Sequence, residues 1–309
     1  MLVLPFGKAG TLKLAQVTNA IFWQEGSSLE FHQFYIDYST QKEFWYFFCS
    51  DFHLEAPGTD LKLLKRELDN AQTQNARIFI NGDVFNFLLP SDRKRYSKSE
   101  DKTQRDDLLN VALQTATTFL QPYVDYIDII GIGNHEKEVI RRHSVDLTAF
   151  LIETLNQSRS RSLPRIRHGG YTGFIRLSYT VGGGGGKTYD IFYNHGQGGS
   201  SEITKGLIDL NRYAGHTDAN LIWLGHKHTK WLGELDRITT VTAGNTLTTK
   251  PRKGMLTGCY TKPLKEYDIV KEGYQINFGE EKMRVPTAQG GILMKHTLSS
   301  HHLETSFVF

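Results

Sequence analysis

Short apolar runs that stop abruptly at Asp, Asn or His limit what this chain can fold into. The runs "EFWYFFC", "RIFI" and "YIDIIGI" lead into Asp51–His53, Asn81–Asp83 and Gly133–Glu136. Two later runs, "YDIFY" and "LIWL", lead into Asn194–Gly196 and Gly225–His228. Runs this short and this rich in aromatic and β-branched residues are typical of buried strands. The pattern predicts strands that deliver polar groups at five ends.

Segments with helical spacing lie between the first three of these runs and after the third. Apolar residues recur every three or four positions over 61–71, 109–120 and 145–155, which predicts amphipathic helices. The later part of the chain is mostly strand-like. Strand–helix alternation followed by strand-rich sequence predicts the α/β class, with two mixed sheets packed on each other and helices outside.

The organisation along the chain suggests one main domain with two extensions. We expect residues 1–43 to be an N-terminal extension that packs on the core, 44–249 to be the main domain, and 250–309 to be a strand-rich extension of it. The charge-dense segment 91–107 is expected to be a solvated loop. The glycine run 182–186 is expected to be a mobile hairpin loop, because its glycines and the G-K-T that follows do not have the spacing of a phosphate-binding loop.

Composition excludes some classes of function. Of 309 residues, 39% are hydrophobic and 22% are charged, as in globular proteins. A net charge of +3 is too small to indicate nucleic-acid binding by itself. Two cysteines, Cys49 and Cys259, make neither a disulfide framework nor a cysteine-rich zinc site. No apolar stretch is long enough to span a membrane, so we expect a cytoplasmic protein without a membrane partner.

The five strand ends supply carboxylates, amides and imidazoles. In open α/β sheets such groups meet at the carboxyl ends of the strands. Carboxylates and imidazoles without cysteine suit Mn, Fe, Zn or Ni better than Ca or a structural zinc site. We therefore expect two divalent metal ions, with Mn favoured.

Each motif by itself has a plainer interpretation. Asp51 and His53 alone indicate a turn after a strand, and Asn81–Asp83 alone is an ordinary turn. His195 alone would be a polar end-of-strand residue, and the pair at 226 and 228 would be exposed strand residues. The joint occurrence of five such motifs, all at strand ends, favours the shared metal site.

In this order the motifs D-x-H, G-D, G-N-H-[DE], H and G-H-x-H resemble those of the calcineurin-like metallophosphoesterase superfamily. They span Asp51 to His228, a little over half of the chain. The wider pattern "INGDVFNF…IGNHEKEVIRRHSVDL" is similar to members encoded by bacteriophages and bacteria. The resemblance implies the metallophosphoesterase fold, a β-sandwich flanked by helices, and a dinuclear metal centre.

The resemblance also implies roles for individual residues. One metal would be held by Asp51, His53, Asp83 and His228, and the other by Asp83, Asn134, His195 and His226. Asp83 would bridge the two metals, and a hydroxide between them would be the nucleophile. His135 matches the catalytic histidine, which acts as the acid, and Glu136 is its expected orienting partner. The alternative for Glu136 is a surface carboxylate.

The substrate class is less constrained. Protein phosphatases of this superfamily carry an arginine after the second motif, where this chain reads "GDVFNFL". Its absence favours the phosphodiesterase and nuclease branch, with a nucleic acid or nucleotide as the phosphoester substrate. Arg141, Arg142 and His143 could bind a polyanionic substrate or could be solvated charges. The alternatives are a phosphomonoesterase or protein phosphatase, and a non-catalytic scaffold with this fold.

Overall fold

The structure is a computed structural model. It describes residues 22–24, 27–56, 58–86, 107–181, 186–199, 203–240, 246–262, 287–299 and 302–309. The expected loops at 91–107 and 182–186 lie almost wholly outside these ranges. In the described part of the chain, no helix is both long and apolar enough to cross a membrane.

Strands are the commonest regular elements in the described chain. In chain order they are β1 (Phe22–Gln24), β2 (Ser27–Asp37), β3 (Glu43–Cys49), β4 (Arg77–Ile80), β5 (Ile127–Ile130), β6 (Arg167–His168), β7 (Thr172–Thr180), β8 (Lys187–Asn194), β9 (Leu221–Leu224), β10 (Trp231–Glu234), β11 (Arg237–Thr240), β12 (Leu247–Lys250), β13 (Lys253–Leu256), β14 (Ile292–Leu298) and β15 (Leu303–Val308). The helices are α1 (Leu61–Thr73), α2 (Leu108–Leu120), α3 (Asn134–His143), α4 (Leu147–Ser158) and α5 (Leu207–His216).

Two mixed sheets form the framework. One has the strand order β15-β14-β3-β4-β5-β6, and its strands β3 to β6 run parallel. The other has the order β1-β2-β7-β8-β9-β13-β10, and β8, β9 and β13 run parallel within it. Strands β11 and β12 form a separate two-stranded ribbon. The predicted fold class, an α/β sandwich of two mixed sheets with flanking helices, is confirmed.

Alternation along β3 shows how the layers are built. Phe44, Tyr46 and Phe48 pack between the two sheets, whereas Phe47 and Cys49 face the helices. Successive side chains of a strand point to opposite faces, so an unbroken apolar run is required where both faces are covered. Helices α1, α2 and α4 cover the outer face of the six-stranded sheet, and α5 packs on the other sheet beside β9. The aromatic run therefore marks a strand buried on both sides.

Both extensions contribute strands to the sheets. β2 pairs in parallel with β7, and β14 pairs antiparallel with β3. β13 lies between β9 and β10. The described parts of the two terminal segments are thus hydrogen-bonded into the sheets, while 1–21 and 263–286 lie outside the described residues. The domain boundaries themselves stay a prediction.

Two local expectations were wrong. The third buried strand ends at Ile130, and Asn134 opens a helix, because Gly131–Gly133 separates the strand from the residues that follow. Phe150, which helical spacing places toward the core, is 56% exposed. The inward face of α4 is instead formed by Leu151 and Leu155 with their neighbours. The spacing of apolar residues alone does not show which face of a short helix packs on the sheet.

Candidate metal centre

All five motifs lie at the carboxyl ends of strands. Asp51 and His53 follow β3, Asp83 follows β4, and Asn134–Glu136 follows β5. In the facing sheet, His195 follows β8, and His226 and His228 follow β9. The parallel strands of both sheets end on the same side, and a site at this position is the general expectation for such sheets.

Five of the candidate ligands have a left-handed backbone. The φ angles are 57° at Asp51, 47° at His53, 49° at Asp83, 64° at His226 and 52° at His228. Non-glycine residues with positive φ are uncommon, and their clustering points to a functional constraint. Strand alternation would place both side chains of D-x-H, and both of H-x-H, on one face, but the positive φ angles show that alternation does not apply here. These residues lie just beyond the strands, where the left-handed turns aim the side chains.

Glycine is needed where the second and third motifs touch. A Cβ at Gly133 would lie 2.0 Å from the Asp83 Oδ1 atom, and one at Gly82 would lie 2.3 Å from the Gly133 backbone nitrogen. Gly82 also has φ of 77°. The backbone of Gly133 can therefore lie against Asp83, and the His135 backbone N–H donates to Asp83 Oδ1 at 2.9 Å.

The side chains form three overlapping groups with metal-ligand spacing. In each group the ligand atoms lie within 4.8 Å of one another: Asp51, His53 and His228; Asp83, His195 and His226; and His53, Asp83 and His135. The first two groups coincide with the cores of the two predicted ligand sets. His53 Nε2 is 4.0 Å from Asp83 Oδ2. Asp83 thus lies between the two sets, where a bridging ligand would have to be.

Buried polar atoms at the centre suit a cation. Both ring nitrogens of His53 and the Oδ1 atom of Asn134 are buried without a hydrogen-bond partner among the described residues. Asp51 and Asp83 are 0% and 1% exposed. Buried carboxylates and unsatisfied ligand atoms are costly unless a cation or donor compensates them. The residues present therefore fit a pair of divalent metals.

Electrostatics within the centre are strongly coupled. Burial by itself raises the pKa of Asp51, but the hydrogen bond to His228 and the charges of His195 and His228 hold it at about 2. Burial lowers the pKa of His53 to about 3, and the neighbouring His135 adds to this effect. Burial lowers the pKa of His195 too, yet the Asp83 charge outweighs it and raises that pKa to about 9. The carboxylates thus favour positive charge at the centre.

His135 reaches the surface of the centre. Its Nδ1 atom is hydrogen-bonded to the carbonyl oxygen of Asn86, which leaves Nε2 facing Asp83 Oδ2 at 4.0 Å. Its side chain is 12% exposed, compared with 4% for His53 and 0% for His195. This exposure suits contact with a substrate. However, the Nε2 atoms of His135 and His53 are equally close to Asp83 Oδ2, at 4.0 Å. The role of His135 as an acid, and not as a metal ligand, therefore stays a prediction.

Glu136 lies inside the centre, and its expected role as orienting partner of His135 stays a prediction. It is 1% exposed, so it is not a surface carboxylate. Its oxygens accept backbone N–H bonds from Gly133 at 2.8 Å, Asp83 at 3.0 Å and Phe85 at 3.0 Å. Burial, together with the Asp83 charge, raises its pKa to about 8. Glu136 therefore joins the second and third motifs, and the Asn86 carbonyl, not Glu136, contacts the His135 ring nitrogen.

The basic residues after the third motif lie away from the centre. Arg141 and Arg142 are in the last turn of α3, and both pair with Glu138 at 2.8 and 3.0 Å. Six residues of helix separate Arg141 from His135, which is about 9 Å along the axis. His143 is exposed beside them. The arrangement favours solvated charges over the predicted substrate contacts.

Two residues of the centre were missed. Tyr171 packs edge-on against His195 with ring centroids 5.6 Å apart, and its hydroxyl donates to the Gly196 carbonyl. Cys259 lies beside His228: burial lowers the His228 pKa, but Cys259 and Asp51 together raise it well above its ordinary value. Neither residue belongs to a ligand-type motif, so only the folded chain brings them to the site.

Comparisons with known proteins complete the description. No family model matches the chain, and no curated protein matches it. Solved structures do match. A calcineurin-like phosphoesterase, YfkN from Bacillus subtilis, is 12% identical, covering 86% of this chain and 90% of its own, with a TM-score of 0.37.

Two further matching structures are also remote in sequence. A metallophosphoesterase from Sphaerobacter thermophilus is 15% identical over 71% of this chain and 78% of its own, with a TM-score of 0.30. Vacuolar protein sorting 29 from Cryptosporidium parvum is 10% identical over 87% and 98%, with a TM-score of 0.35.

Proposed function

We propose that this chain is a calcineurin-like metallophosphoesterase that hydrolyses phosphodiesters with the help of two divalent cations. One observation supports it above all: five separate chain segments bring two buried carboxylates and their histidines into adjacent groups with metal-ligand spacing. Burying so many polar groups without full hydrogen bonding would cost stability unless ions compensate it. Bound cations would offset that cost, and a metal-dependent reaction would explain why the chain retains these groups.

The residues for the two cations are those of the predicted sets. Asp51, His53 and His228 would hold one, and Asp83, His195 and His226 the other. Asp83 would be shared, and the unsatisfied Asn134 Oδ1 would be a further ligand. Bound cations would supply Lewis-acid activation of the phosphoester and of an attacking water. Mn is the proposed metal, and Fe, Zn or Ni would suit the same donors.

His135 would donate the proton to the leaving oxygen. Because Nδ1 is directed at the Asn86 carbonyl, it carries a hydrogen, and Nε2 is the atom that would exchange the catalytic proton. Its partial exposure lets a substrate approach Nε2. The second motif continues through Val84 and Phe85 to Asn86 without an arginine, which supports a diester substrate over a monoester. A nucleic acid or nucleotide is the proposed substrate class.

The proposal is tested by paired hydrolysis assays. With Mn²⁺ added, we expect kcat/KM for bis-p-nitrophenyl phosphate to exceed that for p-nitrophenyl phosphate, and a chelator to abolish both activities. Asp83→Asn should remove activity, whereas the control Asp69→Asn, an exposed carboxylate on α1, should retain it. A clear preference for the monoester would support a phosphatase instead. No hydrolysis of either ester by metal-loaded protein would support a non-catalytic scaffold.

A further inference from the structure

Lys227 lies between the candidate ligands His226 and His228, but its side chain turns into the protein. The side chain is only 2% exposed. Its ammonium group lies 2.7 Å from the Asp209 carboxylate, donates to the Gln197 carbonyl at 2.5 Å and faces the Gly199 carbonyl at 3.5 Å. An ammonium has three N–H donors, so each has an acceptor within reach.

A buried ammonium is an expensive way to fill this space. Taking a charge out of water is offset only by good pairing, and a buried ion pair is weak evidence for a contribution to stability. The partner Asp209 is in the first turn of α5, where the helix dipole favours a negative charge. The pair therefore connects the loop 197–199 with α5 and with the fifth motif. These contacts suggest that the pair positions the loop.

The same loop also holds His226. The Nε2 atom of His226 is 2.8 Å from the Gly198 carbonyl, so Nε2 carries the hydrogen and Nδ1 is the nitrogen open to a cation. Three consecutive carbonyl oxygens, at residues 197, 198 and 199, are thus contacted by two adjacent residues of the fifth motif. The loop starts two residues after His195, a candidate ligand for the same cation.

We propose that Lys227 and Asp209 are a positioning pair that holds the 197–199 loop and thereby fixes the tautomer and orientation of His226. The pair would act on the cation bound by Asp83, His195 and His226, and not on the cation bound by Asp51, His53 and His228. Partners of metal-bound histidines characteristically act in this way. The inference rests on the proposed function in one respect only, that cations bind at these groups.

Metal titration of the full chain tests the proposal. Calorimetric titration with Mn²⁺ should show two sites in the unaltered protein. Lys227→Met keeps an unbranched side chain, one atom shorter, and removes the charge. We expect it to weaken one site by about 10- to 100-fold while leaving the other within about twofold. The Co²⁺-loaded protein should show an altered absorption spectrum. Lys253→Met, which breaks an exposed lysine–carboxylate pair with Glu234, is the matched control and should change neither.

Asp209→Asn provides a second route to the same answer. It removes the charge of the partner with little change in shape, and it should weaken the same site. Because the two residues act as a unit, the double variant should be little worse than either single variant. If Lys227→Met does not fold, Asp209→Asn alone decides.

Two results would overturn the positioning role. One is that both sites keep their affinity within about twofold in the variants that fold. The other is that both sites weaken equally in step with a loss of thermal stability, as general loosening would produce. Failure of the unaltered protein to bind Mn²⁺ or Co²⁺ would instead refute the proposed function on which the inference rests.

Discussion

His135 and Asn134 are neighbours in sequence, but the structure gives them different surroundings. The Asn134 amide oxygen is buried, whereas the His135 ring is partly exposed and anchored at Nδ1 by a backbone carbonyl. An anchored, accessible imidazole is suited to proton transfer. The surroundings of each residue therefore suit Asn134 to cation binding and His135 to proton transfer.

We predict that His135→Ala retains both metals while kcat falls by about 10²- to 10⁴-fold, the usual effect of losing a general acid. The assay needs a diester with a poor leaving group, such as an alkyl or nucleoside ester, because nitrophenolate leaves without a proton. His226→Ala is the comparison and should lose metal together with activity. If His135→Ala also loses metal, then His135 is a ligand, as the His53–Asp83–His135 group would allow.

We predict that Glu136→Gln lowers the free energy of unfolding by about 1–3 kcal/mol, the cost of leaving a buried donor unsatisfied. The NH2 group of the glutamine would face backbone N–H donors at a place where an oxygen of Glu136 now accepts them. Glu138→Gln, two residues further along α3 and with a side chain that is 28% exposed, is the control and should change stability little. Urea unfolding of both variants gives the comparison, and equal effects would contradict a special role for Glu136.

At the scale of the element, two adjacent residues could each be the N-cap of helix α1. Thr59 and Asp60 both have side chains typical of an N-cap, but Asp60 takes this position and its Oδ1 atom accepts from the Leu63 backbone N–H at 3.0 Å. Thr59 instead donates to the His53 carbonyl at 2.6 Å. The residue that resembles a cap in sequence thus supports the backbone of a candidate metal ligand.

We predict that Asp60→Ala destabilises the protein by about 1 kcal/mol, the usual cost of losing an N-cap. Asp60→Asn keeps a side-chain oxygen and should stay within a few tenths of a kcal/mol of the unaltered protein. Urea denaturation at neutral pH measures both. Equal losses for the two variants would show that the charge of Asp60, and not its capping oxygen, is what α1 requires.

At the scale of the whole molecule, polar side chains join the two sheets inside the sandwich. Tyr46 of β3 and Tyr179 of β7 are 2.7 Å apart at their hydroxyl groups, and Tyr179 bonds the His296 Nδ1 atom at 2.5 Å. Burial lowers the pKa of His296 to about 3. The folded protein therefore keeps this histidine neutral over the whole physiological range.

This burial predicts a pH dependence of stability. An unfolded histidine has a pKa near 6.5. Below that value the unfolded chain binds a proton that folded His296 excludes, so the free energy of unfolding falls as pH falls. The loss is at most about 1.4 kcal/mol per pH unit for one proton, between pH about 6.5 and about 3. At higher pH both states are neutral and the effect vanishes.

Comparison of slopes isolates the contribution of His296. Buried His32, whose pKa burial lowers to about 4, gives a change of the same sign, so the unaltered protein alone is not decisive. His296→Gln can still accept from Tyr179, and we predict a shallower fall in unfolding free energy between pH 6.5 and 4.5. Urea unfolding at several pH values measures it. Parallel curves for the two proteins would show that His296 is protonated in the folded state.

The sequence by itself determined the α/β class, the buried strands and the identity of the residues at the five strand ends. Apolar runs and helical spacing report burial directly, because a strand covered on both faces must be apolar throughout. The groups at the strand ends could be grouped by ligand chemistry before any coordinates were known. These features follow from patterns that are local along the chain.

Only the tertiary structure decided how those groups are held. The backbone makes left-handed turns at Asp51 and His226. Three backbone N–H groups bond to Glu136, and Lys227 pairs with Asp209, so these side chains connect separate segments of the chain. In the sequence, an acidic residue or a lysine looks the same whether its side chain is solvated or buried in a loop. Its role depends on which backbone groups surround it after the sheets pack, and that arrangement is set by contacts between strands, not by spacing along the chain.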